Sequence, residues 1–182
     1  VFGDTHKLVS DSLTDDADVM LKCIDYHWHA MENASDRLKD SESFAREAIR
    51  LNSYVFPYIS ERLKDSEELA RAAVACDWHV LEHVSNRLRD SEDLIRAAIR
   101  SSPTVTQSAW ALQYASARLR DNEELVGEAV SLDPGTLRHA SDRLRDCEAV
   151  VSKAIEGNPW LLEIASDRLR DSEELVRLAV GL

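Results

Sequence analysis

One short motif, S-x-R-L-[KR]-D, recurs at a nearly constant interval and constrains this chain more than any other feature. A degenerate copy, SDSLTD, begins at Ser10, and complete copies begin at Ser35, Ser60, Ser85, Ser116, Ser141 and Ser166. Successive copies are 25 residues apart, except that Ser116 follows Ser85 by 31 residues. Self-similarity at a fixed period of this length is the signature of a repeat array whose units stack on one another.

An amphipathic helix is predicted directly after each motif. When each repeat is numbered from its serine, apolar residues fall at positions 10, 11, 14 and 15, as in Leu69, Ala70, Ala73 and Val74. This spacing places them on one face of an α-helix and does not fit the alternation of a strand. Position 6 is aspartate in every copy, and aspartate is a favoured N-cap. The predicted caps are Asp40, Asp65, Asp90, Asp121, Asp146 and Asp171.

A second helix is predicted in the rest of each repeat. Position 18 is asparagine, aspartate or serine in most repeats, and a proline follows it at Pro103, Pro134 and Pro159. A capping side chain followed by proline is the usual start of a helix, so we expect a helix from there to the residue before the next aspartate. Helices this short are marginal alone and need neighbours to stabilise them.

Together these elements predict an all-α fold, an α-solenoid of about seven 25-residue two-helix repeats in a single array over residues 1–182. The fourth repeat carries six extra residues, which precede Trp110 and either lengthen a helix or form a loop. The last repeat, from Ser166 onward, contains only its first helix. We therefore expect the chain to be a fragment of a longer protein.

The segment ASDRLRDSEELV, residues 165–176, resembles an uncharacterised helical-repeat family, a domain of unknown function found in bacteria and protists. The hallmark of that family is A-S-x-R-L-[RK]-D followed by acidic residues and an A-[VI] pair. The similarity extends over residues 10–182 and is weakest in SDSLTD. The resemblance implies a helical array and supplies no activity or mechanism.

The overall charge bears on the partners of the chain. The net charge is −12 and the pI is about 4.9, and a surface of that sign repels phosphate backbones and anionic lipids. No apolar run approaches the roughly 18 residues that a membrane span needs. Cys23, Cys76 and Cys147 are far apart, which argues against a disulfide framework. We therefore expect no nucleic acid, no membrane insertion and an intracellular reducing compartment.

A ladder of basic residues accompanies the motif at positions 3 and 5. Its position-3 members are Arg37, Arg62, Arg87, Arg118, Arg143 and Arg168. A regular row of cations can bind the phosphates of RNA. The same residues also complement the dipole at the end of a helix, and the aspartates that follow can neutralise them. We favour the second interpretation, a structural charge ladder, over a nucleic-acid site.

Few residues carry the spacing of a catalytic or metal site. His79 and His83 lie on one helix face at a metal-binding spacing, but no third ligand has a matching position. Cys147 replaces serine at a predicted helix N-terminus, where a thiol can become reactive, although a tolerated substitution explains it as well. Carboxylates at repeated positions share one environment and do not make a distinct acid–base pair. We predict no enzyme activity, no metal and no cofactor.

One repeat position holds large amphipathic residues that vary between copies. Position 24 is Tyr58, His83, Tyr114 or His139 in four repeats, and Trp110 lies beside the insertion. Tyrosine and tryptophan are common interface anchors, although such rings also serve as core packing. We predict a protein–protein interaction or scaffold module whose surface includes these five residues and whose partner is another protein or a neighbouring subunit. The alternative is a regulatory or docking arm of an enzyme whose catalytic domain lies outside this chain.

Overall fold

The computed structural model describes residues 13–101 and 109–181, and every regular element in these ranges is a helix. The chain divides into two compact units, unit 1 (residues 1–88) and unit 2 (residues 89–182). Within each unit, helices that are neighbours in sequence pack together. The predicted all-α repeat fold is confirmed. Within the described ranges, no helix is long and apolar enough to cross a membrane.

The first helix of each repeat forms as predicted and buries one face. In unit 1 these long helices are Ala17–Tyr26, Glu42–Leu51 and Glu67–Val74. In unit 2 they are Glu92–Arg100, Glu123–Leu132, Glu148–Gly157 and Glu173–Val180. Positions 10, 11, 14 and 15 are buried in the interior repeats, as shown by Leu69, Ala70, Ala73 and Val74. The periodicity of the sequence therefore identifies the core of each unit.

The aspartates of the motif do not cap these long helices, contrary to the sequence prediction for Asp40, Asp65, Asp90, Asp121, Asp146 and Asp171. The N-cap is one residue later, as at Ser41, whose hydroxyl accepts from the Phe44 amide at 3.5 Å, and at Asn122, whose side chain accepts from the Leu125 amide at 3.1 Å. Asp40 instead ends the preceding short helix. The prediction missed this shift because serine and aspartate stand side by side and both are good caps.

The predicted second helix is two separate elements. The first is a 3-10 helix: Trp28–Asn33, Ser53–Tyr58 and Trp78–Glu82 in unit 1, and Ala109–Tyr114, Pro134–His139 and Pro159–Ile164 in unit 2. The second is a four-residue α-helix: Asp36–Lys39, Glu61–Lys64, Asn86–Arg89, Ala117–Arg120, Asp142–Arg145 and Asp167–Arg170. The predicted start signals are present, because Asp133 caps its 3-10 helix through the Gly135 amide at 2.8 Å and Pro134 opens it.

The serine of the motif separates the two elements. Ser141 is extended, with φ −62° and ψ 161°, and its hydroxyl accepts from the Leu144 amide at 3.2 Å. Its own amide donates to the Arg120 carbonyl of the preceding repeat at 2.9 Å. A residue that donates outside its own segment cannot continue a helical ladder. The helix therefore breaks at this serine and restarts one residue later.

The same motif joins consecutive repeats through side chains, in an arrangement we call the junction. Ser141 and Arg143 both bind Asp121 of the preceding repeat: the hydroxyl donates to its carboxylate, Arg143 Nε donates to the carboxylate at 2.9 Å, and Nη2 donates to its carbonyl at 2.6 Å. The other junctions are Ser35–Arg37–Asp15, Ser60–Arg62–Asp40, Ser85–Arg87–Asp65, Ser116–Arg118–Asp90 and Ser166–Arg168–Asp146. In these six junctions the serine and the position-3 arginine thus bind the motif aspartate of the preceding repeat.

The insertion in the fourth repeat does not alter the junction that follows it. Most of the extra residues lie outside the described ranges, so the prediction that they lengthen a helix or form a loop falls on residues that are not described. Arg118 nevertheless binds Asp90 at 3.0 Å, the same distance that joins Arg62 to Asp40 across a standard spacing. The junction therefore forms at both of the spacings that occur, 22 and 28 residues between aspartate and arginine.

Candidate binding surface

The residues predicted to contact a partner all lie on the 3-10 helices or directly after them. Tyr58 is the last residue of its 3-10 helix and is half-buried, and His83 directly follows its own and is exposed; both belong to unit 1. Trp110, Tyr114 and His139 belong to unit 2 and are half-buried. In the 25-residue repeats, the residues at positions 19, 20 and 24 are exposed or half-buried, whereas position 21 is buried.

Unit 1 presents a cluster of aromatic rings on this surface, which we call the aromatic ridge: Trp28, Tyr54 and Tyr58. The Trp28 ring centroid lies 5.6 Å from that of Tyr54 and 6.1 Å from that of Tyr58. His29 stacks on Trp28 at 3.5 Å. Tyr54 is 54% exposed, so the ridge keeps a wide apolar face toward solvent. Rings at these separations form a rigid, amphipathic platform.

A carboxylate fixes one edge of the ridge. The Tyr58 hydroxyl donates to Glu32 Oε1 at 2.7 Å, and His29 Nδ1 lies 3.5 Å from the same oxygen. Burial, followed by the hydrogen bond to Glu32 and its negative charge, raises the pKa of Tyr58, so its hydroxyl remains a donor at neutral pH. The ammonium group of Lys39 donates to the main-chain carbonyl of Glu32 at 2.8 Å. A negative side chain thus sits beside three exposed or half-exposed rings.

A shallow groove lies beside the ridge, also within unit 1. It has a volume of about 180 Å³ and is lined by Tyr54, Pro57, His79, Val80, Glu82 and His83, together with Ser53 and Asp77. Asp77 caps the last 3-10 helix and holds His79, whose Nδ1 lies 2.7 Å from Oδ1, while His79 stacks on Trp78 at 3.7 Å. Sites for small-molecule ligands usually measure roughly 300–1,000 Å³. The groove matches the size of one side chain better than that of a substrate.

Unit 2 carries a different aromatic cluster, whose polar groups are bonded to one another. Trp110 Nε1 donates to Asp133 Oδ2 at 2.7 Å, and the Arg138 guanidinium lies 5.4 Å from the centroid of the Trp110 ring. His139 meets Trp110 edge-on at 5.3 Å. The ring of Trp110 therefore already has a cation on its face and a carboxylate at its nitrogen.

The surroundings of His139 favour the neutral form of its ring. Its Nε2 is buried and has no hydrogen-bond partner among the described residues. Burial, and then the charges of Arg138 and Arg120, lower the pKa of His139 below its ordinary value, so the ring is neutral at pH 7. The structure therefore brings together Trp110 and His139. Tyr114 ends the same 3-10 helix that contains Trp110.

The position-3 arginines are all engaged in the junctions. Arg37, Arg62, Arg87, Arg118, Arg143 and Arg168 each bind an aspartate carboxylate within 3.0 Å. Of the position-5 cations, Lys64, Arg145 and Arg170 pair with an acidic residue three positions earlier. A guanidinium that is bonded to a carboxylate and a carbonyl offers little charge to a phosphate. This geometry favours a structural role for the ladder.

The described histidines and cysteines do not assemble into one centre. Within residues 13–101 and 109–181, no group of three histidine, cysteine or carboxylate side chains could hold a metal ion. The cysteines are free, and Cys147 is half-buried at the N-cap of Glu148–Gly157 without a capping bond from its side chain. His79 bonds to Asp77, and His83 is exposed beside the groove.

Sequence reasoning identified Tyr58 and His83 but missed the residues that complete the surface around them. Glu32 is 26 residues from Tyr58 in sequence, and nothing in a linear pattern connects the two. Trp28 and Tyr54 are one residue out of register, at positions 19 and 20. An alternation of aromatic residues across both positions, rather than at position 24 alone, is the signal that points to them.

A family model described as Domain of unknown function (DUF4116) matches residues 8–64 and 104–145, more than half of the chain. No curated protein and no solved structure matches the chain.

Proposed function

The chain belongs to the family described as Domain of unknown function (DUF4116), and since that description assigns no activity, we propose a function from the surface: a non-enzymatic protein-interaction module. The aromatic ridge and the adjoining groove of unit 1 bind a segment of a partner protein. Repeats that are tied together by their junctions present this surface as a preformed platform. Preformed surfaces lose less conformational entropy on binding, which favours affinity.

The observation that carries this proposal is the exposure of clustered aromatic rings. The Trp28 ring centroid lies 5.6 Å from that of Tyr54 and 6.1 Å from that of Tyr58, and Tyr54 is 54% exposed. Aromatic anchors of this kind dominate the energetics of protein interfaces. A ring that served only the core would be buried as Phe56 is, with no exposed surface.

Two further functions receive less support from the same surface. A nucleic-acid site along the arginine ladder would need cations, whereas the arginines of the junctions are bonded to aspartates. A docking arm for an enzyme would use the same ridge, because docking is also protein binding. The two roles differ in the protein that is bound and not in the chemistry of this surface.

Affinity capture with two variants tests the proposal. The chain carrying Tyr54→Ala and Tyr58→Ala, used as bait in an extract of the source cells, is expected to lose a partner that the unchanged chain retains. Each interface aromatic that is replaced by alanine typically costs more than about 1 kcal/mol of binding free energy, so retention falls about tenfold or more.

The matched control is Trp160→Ala. Trp160 is an aromatic residue of unit 2 that is 85% exposed and lies outside the ridge, so its removal leaves partner retention unchanged. Circular dichroism of both variants establishes that each remains helical. Equal retention by the ridge variant and the unchanged chain would exclude the ridge as the binding surface.

A further inference from the structure

The charges around the aromatic ridge indicate which partner side chain it fits. The three 3-10 helices of unit 1, residues 28–33, 53–58 and 78–82, contain two glutamates and no lysine or arginine. Asp77 adds a third carboxylate at the groove. The whole chain has a net charge of −12, which raises the local concentration of cations near its surface. Rings and carboxylates are the two groups that recognise a guanidinium.

In unit 2, an arginine of the same chain already lies over an aromatic ring that is bonded to a carboxylate. Arg138 lies over the Trp110 ring at 5.4 Å, and Trp110 Nε1 bonds to Asp133. Arg138 occupies position 23 of its repeat, where unit 1 has Glu32, Pro57 and Glu82. The ridge therefore has rings and a carboxylate like those around Trp110, but a carboxylate or proline where unit 2 places its arginine.

From this comparison we infer that the aromatic ridge and groove of unit 1 bind an arginine side chain in a basic segment of a partner protein. The planar guanidinium stacks on the exposed face of Tyr54 and is neutralised by the carboxylates of Glu32 and Glu82. The groove of about 180 Å³ holds one such side chain. This inference rests on the proposed function and adds the chemistry of the partner to it.

Binding of a labelled peptide to the full chain tests the inference. The probe is a fluorescent peptide of glycine and serine that contains two arginines, and its twin contains citrulline, which has nearly the same shape without the charge. Fluorescence anisotropy is expected to give about tenfold tighter binding for the arginine peptide, with affinity falling as salt is added. Equal affinity for the two peptides would overturn the inference.

A pair of charge variants separates the site from general attraction to an acidic protein. Glu32→Gln removes the carboxylate of the ridge and keeps an oxygen that accepts the Tyr58 hydroxyl, so affinity for the arginine peptide falls about three- to tenfold. Glu163→Gln removes an exposed glutamate from position 23 of a repeat in unit 2 and leaves affinity within about twofold, because Glu163 belongs to neither the ridge nor the groove. Equal losses in the two variants would mean that the peptide binds only to the net charge.

The outcome also separates this inference from the proposed function. If the arginine peptide does not bind while Tyr54→Ala and Tyr58→Ala still abolish capture of a partner, the ridge is an interface for another chemistry and the inference is wrong. If substitutions in the ridge change neither peptide binding nor capture of a partner, the proposed function fails as well.

Discussion

The two sides of the last repeat of unit 2 show what a junction contributes. On one side the repeat forms a junction, because Ser166 and Arg168 bind Asp146 of the preceding repeat. The other side has no described neighbour, and among the described residues no side chain bonds to the carboxylate of Asp171. One aspartate of the motif is bonded and its counterpart is not, although both stand at position 6. The aspartate is therefore an acceptor for the following repeat and not a cap of its own helix.

Apolar residues on the two sides of the last repeat also differ in their burial. Positions 11 and 15 are buried in all the preceding repeats, but in the last repeat Val176 is 39% exposed and Val180 is 62% exposed. The same repeat still buries Leu169 and Leu175, and its long helix packs on the preceding repeat. Burial at positions 11 and 15 is thus supplied by the repeat that follows, whereas burial at positions 4 and 10 is complete without it.

The largest expected effect is on the free energy of unfolding, when each of two valines at position 11 is replaced by alanine. Val151→Ala removes a fully buried side chain and is expected to lower the free energy of unfolding by about 2 kcal/mol. Val176→Ala removes a partly exposed one and costs less than about 0.5 kcal/mol. Urea denaturation followed by circular dichroism measures both. Similar losses in the two variants would mean that position 11 is stabilised within its own repeat.

A smaller effect is expected from two serines of the last repeat. Ser166→Ala removes a hydroxyl that accepts from the Leu169 amide at 3.3 Å and donates to Asp146, and it costs about 1–2 kcal/mol. Ser172 stands at an N-cap without a bond from its side chain, so Ser172→Ala costs less than about 0.5 kcal/mol. The same denaturation experiment ranks them, and the reverse order would contradict the role of the junction.

The sequence predicts the part of this fold that depends on local burial. Apolar residues at positions 10, 11, 14 and 15 identify every long helix, because one helix face must leave water in each repeat. The break at Ser141 was not predictable in the same way. The Ser141 amide bonds to Arg120 and its hydroxyl to Asp121, and these partners become neighbours only after the repeats stack.

The candidate site could likewise be predicted only in part. Position 24 could be selected from the sequence because its residues are large and amphipathic, and Tyr58 and His83 do lie beside exposed rings and a groove. The difference between the units could not be predicted. Glu32 reaches Tyr58, and Asp133 reaches Trp110, across 26 and 23 residues, and periodicity carries no information about such pairs.

The smallest expected effect is on the free energy of unfolding at low pH. It tests whether the charge of Asp146, and not only its hydrogen-bond geometry, stabilises the junction. The Ser166 hydroxyl, and then Arg168, lower the pKa of Asp146 below its ordinary value of 3.8 in the folded chain. The unfolded chain binds this proton more tightly, so the stabilisation is complete above the unfolded pKa and is lost as the pH falls through the folded pKa.

Asp146→Asn removes that dependence at one of the six junctions between described residues. The variant is expected to be less stable than the unchanged chain at pH 7, and this difference shrinks as the pH falls through the folded pKa of Asp146, because the native carboxylate then becomes protonated and loses its charge. Urea denaturation at a series of pH values measures it, with Ser172→Ala as a variant that retains the original slope. A difference that stayed constant with pH would show that Asp146 acts through hydrogen-bond geometry alone, and that the charge of Arg168 contributes nothing to the junction.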